Sequence, residues 1–198
     1  MERVAQFEKI SYAQWEKDFR PLYEEIMRNM NGVKPEEPFE YQENDFQALS
    51  QAIYDDIKIP ERATKGSAGN DMFFPLGTTS IPMGYSALIP TGLKCKMEEG
   101  WVMQIYPRSS LGFNFRLQMD NTVCIIDSDY YNNPSNEGHI FIRMTNDSKD
   151  GSVCTLEHDM AYAQAIFIPY GITYNDNVTT ERVGGLGSTT PVDHKDAE

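Results

Sequence analysis

The chain has 198 residues, enough for one domain with a substantial core or for a core domain with an accessory segment. Its 30 acidic and 17 basic side chains leave a net charge of −13, which disfavours a nucleic-acid surface, since phosphate backbones are held by clusters of Lys and Arg. A small phosphorylated ligand stays open, provided that a few basic groups and backbone N–H donors converge on it and a divalent cation accompanies it.

Three cysteines, Cys95, Cys124 and Cys154, are widely spaced and form no Cys-x-x-Cys pair, which fits reduced thiols. The first residues lack the apolar run of a signal peptide, and nowhere do eighteen apolar residues follow one another. A soluble cytoplasmic protein without membrane contact is therefore expected. His139, His158 and His194 are scattered without metal-ligand spacing, which argues against zinc.

In chain order, Ser11 and Gln14 carry the spacing of a capping box, and Tyr12, Trp15, Phe19, Leu22, Ile26 and Met30 follow at helical intervals. The pattern predicts an amphipathic helix ending near Gly32, with Pro21 producing either a kink or two abutting helices. A second capping box at Asn44 and Gln47 predicts a shorter helix with Phe46, Leu49 and Ile53 on one face. These apolar stripes pack onto the rest of the chain or a neighbouring subunit, or else present a surface to a protein partner.

From residue 57 the texture changes to short apolar runs punctuated by Gly, Pro and Asn, which predicts an all-β domain. Strands are expected at 57–59, 70–74, 86–89, 101–106, 122–126, 139–144 and 163–168, in a sandwich or jelly roll that manages its edges. Within the fifth of these, a β-branched run ends in Asp127, Asp129 and Tyr130, a buried strand delivering polar groups to a turn. The polar loop at 131–137 is either a surface insertion or an edge of a pocket. The Gly-rich end at 184–190 reads locally as a flexible linker.

Five stretches, taken together in their order and spacing, resemble the motifs of the trimeric dUTPase family. They are residues 63–71, Pro107-Arg108-Ser109-Ser110-Leu111-Gly112, residues 121–130, residues 159–164 and residues 182–189. The resemblance covers about two thirds of the chain, and residues 1–56 lie outside it as a helical extension. It implies a mainly β domain at 57–190, a dUTPase-like jelly-roll barrel, followed by a tail at 191–198. It also implies a homotrimer whose sites are shared between subunits, and Mg²⁺-dependent hydrolysis of dUTP to dUMP and pyrophosphate.

The same resemblance assigns roles. Asp127 becomes the base that activates water, Tyr130 the ring that leaves no room for a 2′-hydroxyl, and Asn121 and Ile126 part of the strand that reads the nucleoside. Arg108, Ser109, Ser110 and Gln164 become phosphate contacts. Arg182 is the arginine finger, with Leu186, Gly187, Ser188 and Thr189 closing over the ligand, while Asp71 reaches the metal through water. Asp129 is given a structural role. A dCTP deaminase of the same fold, or a nucleotide-sensing interaction protein without catalysis, are the alternatives.

The chain departs from the family in places. Leu186 stands where an aromatic commonly covers the uracil, which implies weaker base stacking. Arg182 is one residue closer to Gly184 than expected, Cys124 replaces a frequent glycine, and His158 and Met160 replace a glycine and an arginine around Asp159.

Overall fold

The computed structural model describes residues 2–180, 182, 184 and 185. Its elements in order are β1 (Ala5–Lys9), α1 (Tyr12–Asn31), α2 (Glu43–Asp56), β2 (Asn70–Phe73), β3 (Thr79–Ile81), β4 (Ser86–Pro90), β5 (Leu93–Met97) and β6 (Trp101–Pro107). A short helix α3 (Ser109–Phe115) follows, then β7 (Leu117–Met119), β8 (Cys124–Ile126), a 3-10 turn (Ser128–Tyr130), β9 (Phe141–Asn146), β10 (Cys154–Leu156) and β11 (Ala161–Pro169). The expected mainly β architecture is present. Every strand pairing is antiparallel, in sheets ordered β2-β11-β6-β8, β4-β9-β7, β1-β5 and β3-β10.

β11 is one of the two inner strands of the four-stranded sheet, bonded to β6 over Ala163–Pro169 and to β2 through a register shift between Ala161 and Ala163. Its Tyr162, Ala163 and Ala165 are fully buried. No helix among the described residues is long and apolar enough to cross a membrane.

α1 begins as its sequence predicts, with Ser11 Oγ accepting from Gln14 N at 3.1 Å, and ends at Gly32 in the left-handed region. It runs as one helix through Pro21, so two abutting helices do not form. Pro21 is exposed, where water can take the carbonyl that its missing N–H leaves free. α2 starts at Glu43, before the expected cap at Asn44, and its N-cap Gln42 makes no side-chain cap bond. Both oxygens of Glu43 are instead gripped by Arg20 of α1 at 2.8 Å. A tertiary ion pair thus overrides the local capping signal.

The apolar stripe of α1 is buried only in its first half. Trp15, Phe19 and Tyr23 join Phe46 of α2 and Ile89, Leu93 and Ile140 of the β domain in one continuous core, whereas Ile26 is 41% and Met30 76% exposed. Leu49 is also exposed, and Ser50 takes the buried place beside Phe46, with its carbonyl accepting from Trp15 Nε1. Burial at about 1.5–3 kcal/mol for each large side chain makes Trp15, Phe19 and Phe46 a substantial share of the stability.

Two further differences from expectation concern strands. Residues 57–59 form none, because Ile57 caps α2 and the next contact with the sheet is a single bridge from Glu61 to Asp71. β8 is shorter than 122–126 because Thr122 turns into the left-handed region at φ 67°. β1, β3, β5, β7 and β10 were not foreseen. β1 pairs with β5 in register from Ala5↔Met97 to Lys9↔Leu93, so the first residues belong to the β architecture.

Candidate functional site

β8 is the element that presents the site. It alternates strictly, with Cys124 and Ile126 buried and Ile125 exposed, so that the next residue on the outer face, Asp127, meets solvent. Asp127 then caps the 3-10 turn, its carbonyl accepting from Tyr130 N at 3.2 Å. The turn swings Tyr130 inward, where it is 3% exposed.

Arg182 returns from the far end of the chain to this turn. Its Nη2 donates to Asp127 Oδ2 at 2.7 Å and its Nε to Asp129 Oδ1 at 2.8 Å, while the guanidinium lies 5.8 Å from the centre of the Tyr130 ring. The expected base, cation and ring are therefore brought together. Asp129 belongs with them: it was read as structural, and it is the second anchor of Arg182. An open cleft of about 670 Å³ adjoins the turn, lined by Glu99, Gly100, Asp127, Ser128, Asp129, Tyr170, Gly171 and Ile172.

Tyr130 is held at both ends. Its hydroxyl donates to the carbonyl of His139 at 2.8 Å and accepts from Asn136 Nδ2 at 2.8 Å, and burial pushes its pKa upward. Asn133 organises the loop between them, accepting from Ser135 N, Ser135 Oγ and Asn136 N and donating to the carbonyl of Tyr130. A Cβ on Gly185 would stand 2.9 Å from Ser135 Oγ, so the loop at 131–137 edges the site and receives the returning chain.

The remaining predicted residues gather elsewhere. Arg108 forms an ion pair with Asp71, and the side chain of Gln164 donates to the carbonyl of Pro107 at 3.4 Å and crowds Gly69. Ser109 and Ser110 are exposed in the first turn of α3 beside them. Asn121 is exposed in the turn before β8, and Ile126 is buried, leaving only its backbone to a ligand. Leu186, Gly187, Ser188 and Thr189 lie outside the described residues.

Register fixes how far apart these groups are. Ile126 is opposite Met103 on β6, which puts Asp127 level with Val102, and Arg108 follows the end of that strand six residues further on. At about 3.4 Å per residue the α-carbons of Asp127 and Arg108 are roughly 20 Å apart, beyond opposite ends of the β6–β8 pairing.

A second groove of about 560 Å³ lies between α1 and the β3–β4 region. Its only charged lining residues are Asp18 and Glu25 among Leu22, Ile26, Leu76 and Ile89, so it offers a phosphate no cation. The three cysteines are buried and unpaired, as the sequence suggests.

Comparison with known proteins bears on the same residues. A model of the dUTPase family matches residues 55–190. A deoxyuridine 5′-triphosphate nucleotidohydrolase of Lactococcus lactis is 42% identical over 135 residues, 67% of this chain and 88% of the relative. One from Dictyoglomus turgidum is 32% identical over 149 residues, 71% of this chain and 96% of the relative. Among solved structures, that of a dUTPase from Streptococcus mutans is 38% identical with a TM-score of 0.52, covering 58% of this chain and 88% of that one.

Proposed function

The chain belongs to the dUTPase family, and on that premise we propose that the cleft beside Asp127 hydrolyses dUTP to dUMP and pyrophosphate. The observation that carries the reading is Arg182 bridging Asp127 and Asp129 above the Tyr130 ring, which assembles a base, a phosphate-binding cation and a sugar platform on one turn.

Asp127 takes the proton of a water whose oxygen bonds to the α-phosphorus, while the bond from that phosphorus to the oxygen bridging the β-phosphate breaks and pyrophosphate leaves. Arg182 exchanges its two carboxylates for the γ-phosphate, which frees Asp127 to act. Tyr130, fixed through its hydroxyl, cannot yield to a 2′-hydroxyl, and a buried ring offers that group no partner, so UTP is rejected. Asn121 and the backbone of Ile126 face the nucleoside.

Arg108, Ser109, Ser110 and Gln164 supply phosphate contacts, and their separation from Asp127 by most of the length of β6 has a direct consequence. One chain does not close a site around one nucleotide, so a homotrimer with sites shared between copies is the assembly that fits.

Magnesium fits as an ion carried by the triphosphate. Glu99, Asp127 and Asp129 offer the cleft hard oxygen donors, but among the described residues the one tight convergence of three ligands is Asp56, His158 and Asp159. Asp71, already bound by Arg108, would reach only a water of its hydration shell. Held with the phosphates, Mg²⁺ would supply charge neutralisation for the departing pyrophosphate.

The test is pyrophosphate release from dUTP, dCTP, dTTP and UTP with Mg²⁺, comparing wild type with Asp127→Asn. Release from dUTP alone is expected, reduced about 10²–10⁴-fold in the variant. Ammonia release from dCTP would move the chain to deamination, and silence on every nucleotide would leave a binding protein without catalysis.

A further inference from the structure

The family match begins at residue 55, so β1, α1 and nearly all of α2 lie outside it. These elements nevertheless hold the loop that positions Tyr130. Ser11, at the start of α1, donates from its backbone N to Glu137 Oε2 at 2.9 Å and from its hydroxyl to Glu137 Oε1 at 2.6 Å. Glu137 thereby takes the place that Gln14 would fill in a local capping box, and Gln14 turns to Asp18. Tyr131 donates to Glu8 of β1 at 2.8 Å, and Lys94 of β5 donates to Asn132 at 2.7 Å.

The deepest of these contacts is between Asp18 and His139. His139 is fully buried, and its Nε2 accepts from the backbone N–H of Gly92 at 2.9 Å. The proton of the neutral ring therefore sits on Nδ1, which donates to Asp18 Oδ2 at 2.6 Å. The ring is fixed between a helix outside the matched residues and a turn inside them. The carbonyl of the same residue accepts the Tyr130 hydroxyl, so the position of His139 is transmitted to the ring in one step.

We infer that the N-terminal segment is a positioning element for nucleoside selection, with Asp18 acting through His139 to set where Tyr130 holds its ring. The inference rests on the dUTP reading and extends it to residues that touch no substrate. Without Asp18 the buried His139 loses one of its two ring anchors, and a shift of that residue's backbone would move the carbonyl that accepts the Tyr130 hydroxyl, widening the space against the sugar. The helix would then govern the choice between deoxyribose and ribose, and the Asp127 turn would keep its chemistry.

The experiment is steady-state kinetics on dUTP and UTP for wild type, Asp18→Asn and Asp18→Ala in the full chain. Asp18→Ala leaves the buried Nδ1–H without an acceptor, and the ratio of kcat/KM for dUTP to that for UTP is expected to fall roughly tenfold. KM for dUTP should carry most of the change, with kcat within about twofold of wild type. Asp18→Asn keeps an acceptor oxygen and should restore most of the ratio. Glu137→Ala, at the exposed clamp, should lower the ratio in the same direction by a smaller factor, and it serves if Asp18→Ala does not fold.

An unchanged ratio in a folded Asp18→Ala, or in Glu137→Ala where only that variant folds, would overturn the inference while leaving the hydrolase reading intact. A loss as large in Asp18→Asn as in Asp18→Ala would also overturn it, since the hydrogen bond would then not be the link. A wild type silent on dUTP would sink both together.

Discussion

Gly138 offers the sharpest test of how the loop beside Tyr130 is built. Its φ is +79°, and an added Cβ would meet Tyr130 O at 2.5 Å, Tyr131 Cα at 3.0 Å and Asn132 N at 3.1 Å, all of them backbone atoms. For Gly138→Ala the left-handed conformation costs about 1–2 kcal/mol. Moving backbone out of the overlap adds about 1–3 kcal/mol, and the stiffer unfolded chain returns only about 0.4–1 kcal/mol. A net loss of about 1–5 kcal/mol lowers Tm by roughly 2–20 °C for a chain of this length. Gly92→Ala is the control. Gly92 has φ +69°, but its added Cβ would meet the Cδ1 end of Ile57 and, at 3.3 Å, Trp15 Cε3. A terminal methyl can rotate away, so Gly92→Ala is expected to be the milder substitution. Thermal and urea unfolding of the two variants decide the matter. A Gly138→Ala melting within about 2 °C of wild type, or a Gly92→Ala the more damaged of the two, would refute the argument from what each Cβ meets.

Arg182→Ala should lower turnover of dUTP by about 10³-fold or more, with little change in stability because exposed ion pairs contribute about 0–1 kcal/mol. A loss below tenfold in steady-state assays would remove the arginine-finger role. His158 titrates above its ordinary 6.5: burial works to lower it, but its hydrogen bond to Asp56 at 2.7 Å and the charge of Asp159 outweigh that. Lys58 pairs with the same Asp159 at 2.5 Å. A raised histidine contributes stability that is fully present below 6.5 and is lost as pH rises through the folded value. The urea midpoint of wild type should therefore exceed that of His158→Gln on the acid side and converge with it at higher pH. A gap that widens with pH would show that the pair does not form.

The residues that meet at the Asp127 turn are ones the sequence singles out, and the fold was legible where a pattern was local. The β-branched run before Asp127 forms a strand and the capping signal at Ser11 starts a helix, because both depend on neighbours within a few positions. β1 was invisible because Ala5 to Lys9 is a half-exposed mixture of charged and apolar residues whose partner strand lies almost ninety residues away. The same distance problem hid the role of Asp129, whose meaning depends on Arg182 arriving from the end of the chain. His139 read as scattered, since nothing near it in sequence announces Asp18 or the N–H of Gly92. Burial then holds its pKa below the ordinary histidine value despite the adjacent carboxylate, consistent with a neutral ring that accepts as well as donates.

The acidity of the chain and its proposed ligand are reconciled at Arg182. Asp127 and Asp129 are about half exposed, so the two ion pairs they make with Arg182 together cost about 0–2 kcal/mol to break. Charge-assisted hydrogen bonds to phosphate are worth about 1.5–3 kcal/mol each, so a triphosphate can draw the guanidinium away where a neutral or singly charged ligand cannot. Until then the positive charge that would bind phosphate is held by the carboxylate that would serve as base. On the proposed reading, binding the γ-phosphate and freeing the base would be one event, which would tie water activation to the presence of a complete triphosphate. The loop at 131–137 lies against Gly185 on one side and against α1 on the other, so the N-terminal helix meets the candidate site at the residues around Tyr130 and His139.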